Sequence, residues 1–87
     1  MRLSDLRTGD RGVIKSIAAS ELSGDPSAIG HEELERRLLE MGFVEGASFQ
    51  VLQEGLIGRD PMALKLDDMR VALRRAEARA VLVEQLR

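Results

Sequence analysis

The twelve residues "MALKLDDMRVAL", positions 62 to 73, constrain the fold most. Apolar side chains stand at Met62, Leu64 and Leu66, then at Met69, Val71 and Leu73, with Asp67 and Asp68 between. Alternation at period two on both sides of two polar residues predicts an antiparallel hairpin. A two-residue turn pairs Leu66 with Met69, Leu64 with Val71 and Met62 with Leu73. All six apolar side chains then share one face. The remainder of the chain must cover that face.

Upstream, "LSDLRTG" sets Leu3 and Leu6 three apart, with Ser4 and Asp5 able to cap one turn, which predicts a short turn tucking two leucines under the sheet. "RGVIKSIAA" alternates as a strand with some apolar character on both faces. "SELSGDPSAIG", residues 20–30, is a loop by composition. "HEELERRLLEM" follows with Leu34, Leu38 and Met41 on one helical stripe and Glu32 and Glu33 in the first turn, where the helix dipole favours acids. Gly42 suits the residue after the helix, which usually has positive φ. "ASFQVLQE" reads as a second strand, "GLIGRDP" (55–61) as a loop, "RAEAR" as a turn, and Val81 and Val83 as a closing strand. The fold class expected is mainly β: about five short strands in a small barrel, with one inserted α-helix.

An 87-residue chain makes one domain, here expected over 1–87, with a thin core. With 44% hydrophobic and 32% charged residues, it has the composition of a folded protein. Phe43 and Phe49 are the only aromatic residues and the net charge is −2, which argues against nucleic-acid binding by base stacking or phosphate attraction. Cysteine is absent, removing disulfides, thiolate catalysis and sulfur metal ligands. Charges interrupt "MRLSDLRTGDRG", so no signal peptide is read there, and no stretch nears the ~20 apolar residues that span a bilayer. A soluble, cytoplasmic protein is expected.

Three longer strings, "LSDLRTGDRGVIKSI", "RRLLEMGFVEGASFQVL" and "GRDPMALKLDDMRVALRRAEARAVLVE", together carry four motifs. These are L-x-x-L-x-x-G with a G-x-I strand, R-L-x-x-M/L-G-F/L-x-x-G, D-P-x-A/I and A-L-R-x-x-E-A. In this order and spacing they resemble the FeoA family of ferrous-iron-transport accessory proteins over nearly the whole chain. The resemblance implies an SH3-like barrel with an inserted helix, Gly42 and Gly46 turning the chain from helix to strand. It also implies a cytosolic partner of the FeoB-type iron permease, whose N-terminal part is a GTPase domain, contacting either that cytosolic domain or the membrane part and reaching the inner membrane through that partner. The chain departs from the family pattern in its longer segment over 20–33, and in Asp67–Asp68 where glycine is common. Asp adopts left-handed backbone less readily than glycine, which predicts a turn larger than two residues there.

The candidate sites are few. His31 and Glu35 stand at i, i+4, but two ligands fall short of the three that ferrous iron wants, and no second histidine exists. A solvated first helical turn is the ordinary reading, so no metal site and no cofactor are expected. One His, no Cys and no G-x-S-x-G setting leave no nucleophile, so the chain is not expected to be an enzyme. "GLIGRDP" lacks a P-loop ending, so any GTP-linked role belongs to the partner. Partner contact has better candidates. Lys65 faces Arg70 across the hairpin with Arg74 further along the same outer face, and like charges opposite cost about 0.2–1 kcal/mol. Either Asp67 and Asp68 screen them or the patch meets an acidic surface. Leu56 and Ile57 beside Arg59 form a docking knob if exposed, or close one barrel end if folded back. Leu39 lies at the margin of the helix stripe, where it packs at the border or meets the permease or a second copy of this chain. A regulatory SH3-like module akin to the C-terminal domain of iron-dependent repressors is the alternative function.

Overall fold

The computed structural model describes residues 1–18 and 30–86. The loop read over residues 20–30 lies, except for Gly30, outside them. After a single 3-10 turn at Leu3–Asp5 come β1 (Arg11–Ile17), α1 (His31–Met41), β2 (Ser48–Ile57), β3 (Asp60–Leu66), β4 (Met69–Leu73), α2 (Arg75–Ala78) and β5 (Val81–Leu86). The strands form one antiparallel sheet in the order β4-β3-β2-β1-β5, curled around a single core. The first strand therefore pairs with the last, closing chain ends onto each other.

The core draws on every element that the alternation marked. Leu3 and Leu6 are buried beneath the sheet, as their three-residue spacing predicted. Ile14, Phe49, Val51, Met62, Leu64, Leu66, Leu73, Val81 and Val83 fill the interior, and Leu38 is buried from the helix. Leu34 and Met41 pack against its edge. No polar or charged residue is buried among the described residues. Apolar burial, at roughly 25 cal/mol per Å², therefore carries this core without internal ion pairs.

α1 ends where expected. Gly42 has φ 106°, its N–H donates to the Leu39 carbonyl at 3.0 Å, and the Phe43 N–H donates to the Leu38 carbonyl at 3.0 Å. These two bonds make a Schellman motif, which caps the last carbonyls and drops Phe43 into the core beside Leu38.

The β3–β4 hairpin has the register read from the sequence: Met62 with Leu73, Leu64 with Val71, Leu66 with Met69. Its turn is not enlarged. Asp67 takes φ 51° within two residues, and its carboxylate accepts the Ser48 N–H at 3.1 Å while its own N–H donates to the Ser48 carbonyl. Those bonds to β2 offset the left-handed strain that glycine would avoid. Met69 shares the apolar face yet is 52% exposed, because it sits at the sheet's end, met by the backbone of Gly42.

Two further corrections concern local structure. "GLIGRDP" is no loop: β2 runs on to Ile57, β3 begins at Asp60, and Gly58–Arg59 is a two-residue turn with φ 64° and 59°. "RAEAR" holds the short helix α2. In β1 a bulge between Ile14 and Ser16 shifts the register, so that Ile17 as well as Ile14 reaches the core; this is why both faces read as partly apolar.

Candidate docking hairpin and basic row

The candidate partner residues fall into two groups at opposite ends of β3. β3 is seven residues long, so its ends lie six steps apart, about 20 Å at ~3.4 Å per residue. One end carries Leu56, Ile57 and Arg59 at the β2–β3 tip with Arg74 close by; the other carries Lys65 and Arg70 near the β3–β4 tip.

The β2–β3 hairpin projects from the body. Leu56 is 102% exposed and Ile57 88%, so the loop does not fold back to close the barrel. Behind the tip the register shifts between Glu54 and Ile57. At Gly55 the Asp60 carbonyl approaches so closely that a Cβ would lie 1.7 Å from its oxygen, which reserves the position for glycine.

A polar clamp fixes the hairpin's base. The Arg75 guanidinium donates to the Arg59 carbonyl at 2.9 Å, the Ser4 carbonyl at 2.6 Å and Glu54 Oε2 at 2.9 Å. The Arg75 backbone N–H, at the start of α2, donates to Asp60 Oδ1 at 2.7 Å. Glu54 also accepts the Thr8 N–H at 2.7 Å and the Thr8 hydroxyl at 3.1 Å. The Thr8 backbone N–H is the main influence holding the Glu54 carboxyl below its usual range. The Thr8 hydroxyl, Arg75 and Arg59 add to this, against partial desolvation. One planar five-donor side chain thus joins the first turn, the hairpin and α2.

At the other end Lys65 faces Arg70 as predicted. The registers extend that pair into a transverse row, Arg11–Gln50–Lys65–Arg70, across four strands. A shallow cleft of about 190 Å³ opens along it, lined by Arg11, Ser48, Phe49, Gln50, Lys65 and Asp67. Lys65 and Arg70 have no ion pair among the described residues. Leu39 is 46% exposed on α1, at the helix margin where its place in the stripe put it.

The sequence reading missed Arg75 and Glu54. Their partners lie 71 and 46 residues away, and "RR" in "ALRRAEA" does not distinguish the inward arginine from the outward one. Arg11 was missed as well, since only the sheet order places it in line with Lys65, across Gln50. Among the described residues no three His, Cys, Asp or Glu side chains gather to hold a metal ion. The His31 side chain, half of the pair weighed above, is outside them. No helix among the described residues is long and apolar enough to cross a membrane.

The FeoA domain family matches residues 1–85. A fusion protein of Porphyromonas gingivalis, described as Fe(2+) transport protein A joined to the Fe(2+) transporter FeoB, is 38% identical over 84 residues. That match covers 97% of this chain but only 8% of the fusion. The FeoA protein of Chlorobium tepidum superposes with a TM-score of 0.76 at 33% identity, covering 100% of this chain and 71% of that one. FeoA of Stenotrophomonas maltophilia, solved with zinc and described as a prokaryotic SH3 domain protein, gives 0.76 at 31% identity over 100% and 96%. A manganese-dependent transcriptional repressor shares the fold, with TM-score 0.74 at 22% identity. With an SH3-like barrel, an inserted helix and this match along nearly its whole length, the chain belongs to the FeoA family.

Proposed function

We propose that this protein is a non-enzymatic, cytoplasmic accessory factor for ferrous-iron uptake that docks on a FeoB-type permease and biases its conformational equilibrium. The observation that carries the reading is the fusion relative, in which a region like this chain and a FeoB transporter share one polypeptide. Fusion raises the effective concentration of two modules for each other, which is useful when they work in contact. Iron is then the permease's cargo rather than a ligand of this chain.

The basic row is the surface we assign to the permease. Arg11, Lys65 and Arg70 stand in register on one face, and the like-charge pair Lys65–Arg70 is unfavourable in the free protein. An acidic surface would relieve that repulsion on binding and steer the encounter. To modulate rather than merely bind, this protein must prefer one state of the permease over another.

Ferrous-iron uptake in cells that make the permease tests the reading. Removing this protein is expected to reduce uptake, and Arg70→Glu is expected to restore it less well than the wild type does. Unchanged uptake without the protein would contradict the accessory role. The regulatory-module alternative has the shared fold as its support, and a fold alone hosts many functions.

A further inference from the structure

The β2–β3 hairpin tip has a feature that docking through the basic row does not use. Leu56 and Ile57 are nearly fully exposed and consecutive in β2, and consecutive strand side chains leave the backbone on opposite sides. A flat protein surface laid against either side of the hairpin covers one and leaves the other in water. A medium that surrounds a narrow tip covers both.

The charges around the tip favour an anionic medium. Arg59 and Arg74 are exposed beside it, and Arg7 is exposed next to Thr8, whose N–H is bonded to Glu54. The carboxylates at this end are already engaged in hydrogen bonds or ion pairs. Glu54 is held by Thr8 and Arg75, with Arg59 Nε 3.9 Å away, Asp60 accepts the Arg75 N–H, and Asp10 accepts the Arg7 N–H at 2.8 Å. Glu77 accepts the Arg74 N–H at 3.1 Å and pairs with Arg37 at 3.0 Å. Cations therefore form the outer charge of this end, although the whole chain carries −2.

We infer that the β2–β3 hairpin inserts into the interface of an anionic lipid bilayer, burying Leu56 and Ile57 while Arg59, Arg74 and Arg7 meet headgroup phosphates. Two strand residues beyond Gly55 reach about 7 Å at ~3.4 Å each, which matches the ~5–10 Å depth of the headgroup–acyl boundary. The Arg75 clamp holds the hairpin in shape beforehand, so little ordering is needed on insertion. Two apolar side chains give weak, reversible attachment, which becomes stable only with a second signal. The inference does not rest on the iron-uptake reading, because vesicles contain no permease.

The test is co-sedimentation of the full chain with vesicles of equal parts phosphatidylcholine and phosphatidylglycerol, beside vesicles of phosphatidylcholine alone. The wild type is expected to partition onto the anionic vesicles, less so at high salt, and several-fold less onto the neutral ones. The double variant Leu56→Ser, Ile57→Ser is expected to bind about tenfold more weakly or worse. Both positions lie outside the core, so its circular dichroism should match the wild type. Because the chain has no tryptophan, Leu56→Trp supplies a single reporter whose emission should shift to the blue on anionic vesicles. Absence of wild-type binding, equal binding by the double variant, or an unshifted tryptophan would overturn the inference. So would loss of permease-domain binding by the double variant in lipid-free solution, which would give the hairpin to a protein pocket.

Discussion

The two hairpins that share β3 differ in what holds them. The β3–β4 hairpin buries Met62, Leu64, Leu66 and Leu73 in the core, and its turn is tied to β2 through Ser48 and Asp67. The β2–β3 hairpin buries Phe49 and Val51 along its body, but its tip leaves Leu56 and Ile57 outside the core and is gripped at its base by polar bonds from Arg75. The β3–β4 hairpin is held up to its turn by apolar burial, which is non-directional and large; the β2–β3 tip is held by a few directed bonds, which are small but fix a shape. A segment fixed in shape without burying its own apolar residues keeps those residues for a partner.

The sharpest way to break this contrast is to truncate one leucine in each hairpin. Leu64→Ala is expected to cost about 2–5 kcal/mol in denaturant unfolding, since Leu64 is completely buried. Leu56→Ala should stay within about 0.5 kcal/mol. Equal losses would mean that the tip is packed after all.

Next in size is the clamp. Arg75→Ala leaves the Ser4 and Arg59 carbonyls and Glu54 without their shared donor, and is expected to cost about 1–3 kcal/mol. Hydrogen exchange should speed up at the β2–β3 tip and remain slow at Leu64. Uniform acceleration across both hairpins would show that Arg75 supports the whole barrel rather than one hairpin.

A smaller effect is expected from pH, because Glu54 is partly open to water and its interactions are screened. Its carboxyl titrates below the usual 4.5 in the folded protein, so its contribution is complete above that value and is lost as pH falls through the lowered one. The stability advantage of the wild type over Glu54→Gln should therefore hold at neutral pH and shrink on acidification below 4.5. A constant difference down to low pH, measured by thermal melting, would place the effect elsewhere.

Smallest is Lys65→Glu. Replacing a like-charge cross-strand pair by an opposite one should stabilise the β3–β4 hairpin by about 0.2–1 kcal/mol while weakening binding to an acidic partner. Destabilisation instead would show that Lys65 already has a favourable role in the free protein.

The same two hairpins show how much the sequence discloses. Around Asp67–Asp68 the alternation is unbroken, and register, core face and cross-strand charges were all legible. Around Gly58–Arg59 the bulge at Gly55 breaks the alternation and Pro61 interrupts the next strand, so a hairpin read as a loop. α1 was legible from its stripe and its glycine stop, because both signals are local. Of the candidate site, the exposed leucine and isoleucine and the Lys65–Arg70 pair could be named beforehand, whereas Arg75, Glu54 and Arg11 could not. Their roles depend on contacts between distant segments, which only the sheet order creates.

The most direct test of the account is calorimetric titration of the full chain with the cytosolic GTPase domain of the same organism's FeoB-type permease, run without nucleotide, with GDP and with a GTP analogue. The account predicts binding whose affinity changes between nucleotide states and falls in the Arg70→Glu variant. Absence of binding in all three states, or equal affinity in all of them with no loss on reversing Arg70, would contradict it.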